Sequence, residues 1–312
     1  MSANKHNGTA VDDLLFIYAN QTVLLAAPRL LRRFDRSHDR YYYTVEGGIT
    51  EPATISFFVS TTSFVKKVLP TSPYLMEWMK KNGAESDALR NEAAHYGTLM
   101  HIALANFHEA GFDFGNVRTF IAEYCSKHGL LTNKFVGLWS EKLCKAVLSY
   151  AAFCREFKVE PVLIEGMLAS DEMGIGGTLD NVCCLTLPKE GRVLAQVDFK
   201  SGGIHQSAEL QLVINKMIFE ENFPHLSIAK LYSWSPKDWR TDPTYTLKDQ
   251  TATRFTPGVL DSFLHIYRTL YGEEVSGKSY REFSGNILPG DDPAPHYQSI
   301  NLADLVLGEY NS

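Results

Sequence analysis

Gly177-Thr178-Leu179-Asp180 and, further along, Asp198-Phe199-Lys200 bracket the stretch that decides how this chain folds. The segment between them predicts one β-hairpin: a strand from Thr178 to Leu187, a Pro188-Lys189-Glu190-Gly191 turn, and a strand from Arg192 to Lys200. Alternation at period two puts Val193, Ala195, Val197 and Phe199 on one face of the second strand. Asp198 and Lys200 share the other face with Gln196. Pairing the two strands brings Asp180 alongside Asp198, which makes a two-carboxylate pocket for a hard divalent cation with an ammonium beside it. Mg²⁺ suits such a pocket, because it keeps several waters and takes one or two carboxylates plus substrate phosphate. Taken alone, Asp198 and Lys200 also read as a surface ion pair on a solvated strand face.

The flanking sequence predicts an α/β protein around a mixed sheet. Residues 12 to 33 carry an apolar helical stripe (Leu14, Leu15, Ile17, Tyr18, Leu24, Leu25) with Pro28 as a break. Tyr41 to Tyr43 and Ile55 to Val59 read as strands. A short helix follows Ser60-Thr61-Thr62, and another begins after Pro73. Residues 87 to 109 read as helix interrupted at Gly97-Thr98, with Thr98 capping a new helix that carries His101. Helices are expected over 117 to 127 and 134 to 157, and a strand over 161 to 167. A helix from the Ser201-Gly202-Gly203 loop to about Asn222, a strand over 228 to 234 and a helix over 255 to 272 complete the pattern. The last forty residues read as loop. This organisation predicts an extension over 1–54, a core over 55–240 and a C-terminal extension over 241–312.

Of 312 residues, 45% are hydrophobic and 12% aromatic, which describes a globular chain with a substantial core. No apolar run approaches the length of a membrane span, and the polar start, Met1 to His6, does not read as a signal peptide. Five cysteines in no CxxC spacing fit a reducing cytoplasm. The net charge of −6 lacks the basic footprint usual for a nucleic-acid partner. A metal site gathers acidic residues, however, and Arg29, Arg32 and Arg33 can supply a positive rim or simply a solvated helix end.

Three more polar positions join the hairpin. His101 sits on a helix rich in Ala, Leu and Ile, where a histidine is more often part of a core than a ligand; His95 and His108, which flank it at helical spacings, read as surface residues. Glu165 lies among Val162, Leu163 and Ile164, so its carboxylate needs a partner if buried. Gln211 lies on the helix after the triplet, sharing a face with Asn215 and set apart from Leu210, Val213, Ile214 and Met217. The ordered set Gly-Thr-x-x-His, Glu, Gly-x-x-Asp, Asp-x-Lys and a following Gln resembles the PD-(D/E)XK nuclease superfamily, and within it the RecB-like, phage-type exonucleases. Val59-Ser60-Thr61-Thr62-Ser63-Phe64 and Trp78 resemble the lead-in of those phage proteins, so the resemblance spans roughly residues 55 to 234.

That resemblance implies a restriction-endonuclease-like core and a Mg²⁺- or Mn²⁺-dependent DNA nuclease, an exonuclease in recombination, repair or replication. It implies Asp180 and Asp198 as metal ligands, with the Phe199 backbone carbonyl and His101 completing the set. Lys200 would meet the scissile phosphate and attacking water, Gln211 would position Lys200 or substrate, and Glu165 would support the ligands or hold a second metal. DNA, as double-stranded ends or single strand, is the implied partner, along with a strand-annealing recombination protein; no membrane is involved. Asn215 stands where the branch often has Tyr, and Ala105 where it often has Glu. The cysteine set of the iron–sulfur relatives is missing, so no cluster is expected. Two rivals stand beside the nuclease: a non-catalytic nucleic-acid-binding module on the same fold, and a nucleotide-binding protein using Gly272 to Ser279, which matches GxxxxGK[ST]. In that match the preceding segment reads as helix rather than strand, with Gly272 as its C-terminal cap.

Overall fold

The computed structural model describes residues 31–36, 39–46, 54–109 and 112–273. In chain order the elements are β1 (Leu31–Arg36), β2 (Asp39–Glu46), β3 (Thr54–Ser60), α1 (Thr61–Val68), α2 (Pro73–Asn82), α3 (Ser86–Glu109), α4 (Val117–Lys127), α5 (Thr132–Phe157), β4 (Glu160–Ser170), β5 (Ile175–Leu187), β6 (Gly191–Phe199), α6 (Gln206–Asn222), β7 (Lys230–Pro236), β8 (Tyr245–Asp249) and α7 (Pro257–Glu273). The strands form one mixed sheet in the order β1-β2-β3-β5-β6-β7-β8, with β4 paired to β5. The segments expected as extensions join this assembly: β1 and β2 continue the sheet, and α7 packs Leu260, Leu264 and Tyr267 into the core.

The hairpin forms as its alternation requires. The β5–β6 register runs from Leu187↔Gly191 to Asn181↔Val197, so Asp180 and Asp198 are next in line across the pair. Both faces of these strands are covered. Val182, Cys184 and Leu194 point into a core built with α1, α6 and α7. Cys183, Leu185, Ala195, Val197 and Phe199 point into a second core built with α3, α4 and α5. The face carrying Gln196 and Asp198 is therefore buried, at 1% and 4% exposure, and a solvated strand face is ruled out for Asp198.

Beyond Asn181 the sheet forks. On one edge β5 pairs with β4 over most of its length; on the other it meets β3 only at Ile175 and Gly176, and β6 only from Asn181 onward. Side chains continue the ladder across the gap. Val59 N–H donates to Gly174 O (3.2 Å). Thr61 Oγ1 lies 3.2 Å from Gly176 O and 3.0 Å from Asn215 Oδ1, and Asn215 Nδ2 donates to Thr178 O at 3.4 Å. Successive even-numbered carbonyls face the same edge, so each needs a donor once the neighbouring strand has left. Gly177 sits beneath these groups: a Cβ there would lie 2.5 Å from Asn215 Oδ1 and 2.7 Å from Thr61 Oγ1.

Four expectations need correction. Residues 31 to 33, expected to end a helix, are strand: Arg32 and Arg33 lie in β1 opposite Tyr43 and Tyr42, because β2 offers a hydrogen-bonding edge. Arg29 lies outside the described residues, as do residues 12–30 of that helix and the C-terminal loop after 273. α3 runs unbroken through Gly97, which marks a close approach and not a helix break, since a Cβ there would sit 3.3 Å from Ser201 Oγ. His108, expected at the surface, reaches inward to the Tyr150 hydroxyl at 2.7 Å, and burial lowers its pKa to about 4. Gly272 lies inside α7, which runs one residue further, and does not cap it. Among the described residues, no helix is long and apolar enough to cross a membrane, and all five cysteines are free.

Gly177→Ala should overpack the Thr61–Asn215 crossing and lower stability by about 1–3 kcal/mol, read from urea unfolding. Made on an Asn215→Ala background, the same change should cost less. An equal cost in both backgrounds would show that the crossing does not demand glycine.

Candidate functional site

Five elements converge on the fork. α3 carries His101, β4 carries Glu165, β5 carries Asp180, β6 ends in Asp198-Phe199 and leads to Lys200, and α6 carries Gln211. Together they line one open cleft with a cavity volume of ≈ 320 Å³. His101, Glu165 and Asp180 each offer one ligand atom within 4.8 Å of the other two. His101 Nδ1 lies 3.0 Å from Glu165 Oε1 and 3.6 Å from Asp180 Oδ1, while Nε2 lies 3.1 Å from the Phe199 carbonyl oxygen. The other Asp180 oxygen accepts the Phe199 N–H at 2.6 Å.

Asp198 is held differently. Lys200 Nζ stands 2.8 and 2.7 Å from its two oxygens, and 3.4 Å from Gln211 Oε1. The expected pairing of Asp180 with Asp198 thus appears in register, but the tight cluster of groups that could hold an ion is His101, Glu165 and Asp180, with Asp198 clamped by the ammonium. Glu165, expected to support the ligands or hold a second metal, lies in the same cluster of possible ligand atoms as His101 and Asp180. Its backbone is in the left-handed region, φ 47°, a conformation costing a bulky L-residue on the order of 1–2 kcal/mol. No sequence pattern signals that conformation. Thr61 and Asn215, which hold the Asp180 strand, were not anticipated as site residues either. The signal was present in Asn215, a polar residue repeating at helical spacing after Gln211.

The charges explain the geometry. Burial disfavours the His101 cation, but the Asp180 carboxylate and the hydrogen bond and charge of Glu165 outweigh it, lifting the pKa to about 9. The ring therefore donates from both nitrogens, to Glu165 and to the Phe199 carbonyl. Burial raises the Asp198 carboxyl to about 6 against the pull of Lys200, with Asp180 adding repulsion. Asp180 is likewise raised, by burial first. Burial works against the Lys200 cation, yet Asp198 and Asp180 hold its pKa above the ordinary lysine value. Two cations thus sit among three carboxyl groups, and the His101 proton fills a place that a divalent ion can take. Two carboxylates, an imidazole and a backbone carbonyl form an O/N donor set that suits Mg²⁺ or, better, Mn²⁺.

In EDTA, the protonated His101 should stabilise the fold fully below its unfolded value near 6.5 and lose that contribution as pH climbs to about 9. The Asp198 shift acts at lower pH, costing stability as pH rises from 3.8 through about 6. Between pH 6.5 and 9, wild type should lose up to ~3 kcal/mol that His101→Gln does not lose. Parallel melting curves for the two proteins across that window would remove the charge assignment.

Comparison with protein-family models and with curated proteins finds no match to this chain, so its function is read from the site's own chemistry.

Proposed function

We propose that this chain is a divalent-metal-dependent nuclease with a PD-(D/E)XK core, hydrolysing DNA phosphodiester bonds, and that it works from strand ends as an exonuclease. One observation carries this: a carboxylate–imidazole group and an ammonium held by Asp198 and Gln211 share a single open cleft at the end of β6. A purely structural ion-pair network gains little from being buried, because desolvation cancels most of the attraction. Gathering three carboxyl groups around one point is useful when a cation and a phosphate are to meet there. The free thiols fit work in a reducing cytoplasm.

A bound Mg²⁺ or Mn²⁺ lowers the pKa of a coordinated water and neutralises charge building on the phosphorus centre. His101, Glu165 and Asp180 would hold it, with Asp198 and the Phe199 carbonyl at hand. To serve as a ligand, His101 would give up the proton on the ring nitrogen that meets the ion, while the other ring nitrogen would keep its N–H. Lys200, kept protonated by its neighbours, brings a fixed positive charge to the non-bridging phosphate oxygens. Gln211 accepts from the ammonium and limits its swing. Nucleotide binding through Gly272 to Ser279 has less support, since helix α7 covers Gly272 and Glu273 where a phosphate loop needs a strand end.

Digestion of end-labelled linear DNA should proceed with Mg²⁺ and at least as well with Mn²⁺, stop in EDTA, and spare closed circles. Asp180→Asn should abolish cleavage, and Lys200→Ala should slow it by ~10² or more while still binding Mn²⁺. Metal-independent cleavage, or full activity in Asp180→Asn, would overturn the proposal. DNA binding without cleavage would leave the non-catalytic module in its place.

Because the ion and the proton compete for His101, apparent Mn²⁺ affinity should rise between pH 6.5 and 9, by up to about tenfold per unit. His101→Ala should bind Mn²⁺ more weakly and flatten that dependence. Titration calorimetry at three pH values measures both, and an unchanged slope in the variant would remove His101 from the ligand set.

A further inference from the structure

A second cavity, ≈ 450 Å³ in volume, adjoins the first, and Ser201 lines both. Its walls are one face of α5 and the segment following β7, with Tyr96 of α3 as its inner wall. Three lysines line it: Lys142, Lys145 and Lys237. The Lys142 ammonium lies 3.8 Å from the Tyr96 ring centroid. Tyr96 is 2% exposed, and its hydroxyl has no hydrogen-bond partner, an unmet donor in the wall.

The walls are fixed in place. Trp239 Nε1 donates to Ser149 Oγ at 3.0 Å, which pins the segment after β7 onto α5. The Ser235 hydroxyl donates to Gly202 O at 2.9 Å, which pins the loop after Lys200 onto β7. Lys145 is paired with Glu141 (2.8 Å) and Asp238 (3.2 Å). Both carboxylates are largely exposed, at 80% and 91%, so the pairs are weak and a phosphate can replace them.

Resting on the nuclease reading of the first cavity, we propose that this second cavity binds the phosphate backbone of a single nucleic-acid strand whose scissile bond lies in the first, the strand passing over Ser201 to Lys142, Lys145 and Lys237. The contacts are charge to phosphate, so they hold the strand without selecting a base sequence. Lys142 and Lys237 are the principal contacts, and Lys145 joins as its carboxylates are displaced.

The test is binding of a fluorescent single-stranded oligonucleotide in EDTA, followed by anisotropy over a salt series. Lys142→Ala and Lys237→Ala should each weaken binding roughly three- to tenfold at low salt and reduce the slope of log K against log salt by about 0.7 for each phosphate no longer neutralised. Asp238→Lys removes a competitor of phosphate and should tighten binding, a gain that misfolding cannot mimic. Hydrolysis of a small chromogenic phosphodiester, which is too short to reach the second cavity, should be unchanged in all three variants. If the variants bind and respond to salt as wild type does, the cavity is not a strand path, whatever the cleavage assay shows. Loss of small-diester hydrolysis in the lysine variants would also overturn the proposal, since it would tie these residues to the first cavity. Absence of metal-dependent cleavage in wild type with these binding effects intact would instead count against the nuclease assignment alone.

Discussion

Everything at the site depends on one hydrogen bond that takes the place of a sheet ladder: the Asp180 carboxylate accepting the Phe199 N–H at 2.6 Å. β5 and β6 stay paired through Asn181↔Val197 and then separate. Backbone groups released from a ladder inside a protein must find partners. Here the partners are side chains: Asp180 for Phe199 N–H, His101 for the Phe199 carbonyl, Thr61 for Gly176 and Asn215 for Thr178. The fork opens the cleft, and three of the residues that satisfy its edges, Asp180, His101 and Thr61, also line it. Gly177 follows from the same constraint, since only a residue without a side chain leaves room for the Thr61–Asn215 crossing.

The charge balance has the same origin. A carboxylate used to satisfy backbone is drawn inward, and there Asp180 meets repulsion from Glu165 and repels Asp198. Burial and that repulsion raise the Asp180 and Asp198 pKa values and make cations welcome. Lys200 and the His101 proton answer that demand at opposite ends of the group. The two cations differ in kind. Lys200 sits on the strand end with a flexible stem and a compact ammonium, whereas His101 can lose a proton and then offer a ring nitrogen to a metal ion. Holding Glu165 in a left-handed conformation costs local stability, and the compensation comes from the imidazolium it faces.

Much of this was legible in the residues. Strict alternation in Val193 to Phe199 and a turn signal at Pro188 to Gly191 determine register, and register alone puts Asp180 across from Asp198. The helix over 117–127 and the short helix expected after Ser60-Thr61-Thr62 follow from local pattern; α1 begins at Thr61, with Ser60 Oγ accepting the Ser63 N–H at 3.1 Å. What escaped depends on contacts remote in sequence. Gly97 has the chemistry of a helix breaker, but Ser201 gives it a packing role. Residues 31 to 33 continue a helical stripe, but an available strand edge overrides that preference. His108 carries no local sign of its partner, the Tyr150 hydroxyl on a distant helix. Nothing local announces that Glu165 turns left-handed or that Lys200 reaches both oxygens of Asp198.

On the proposed reading, a net charge of −6 and a phosphodiester substrate look incompatible only if charge is averaged over the chain. Screening limits the reach of exposed charges to about 8–10 Å at ordinary ionic strength, so an arriving phosphate responds to what lies near the cleft. There the carboxyl groups are buried, partly neutralised and matched to cations, while the ammonium groups of Lys200 and of the adjoining cavity stand closer to solvent. Acidic residues elsewhere on the surface repel nucleic acid weakly and without regard to position. On the nuclease reading proposed above, they would together discourage unspecific attachment and leave the cleft as the place where a strand gains by binding. An acidic chain with a cationic lining at one point favours engagement at that point over attachment along its whole surface.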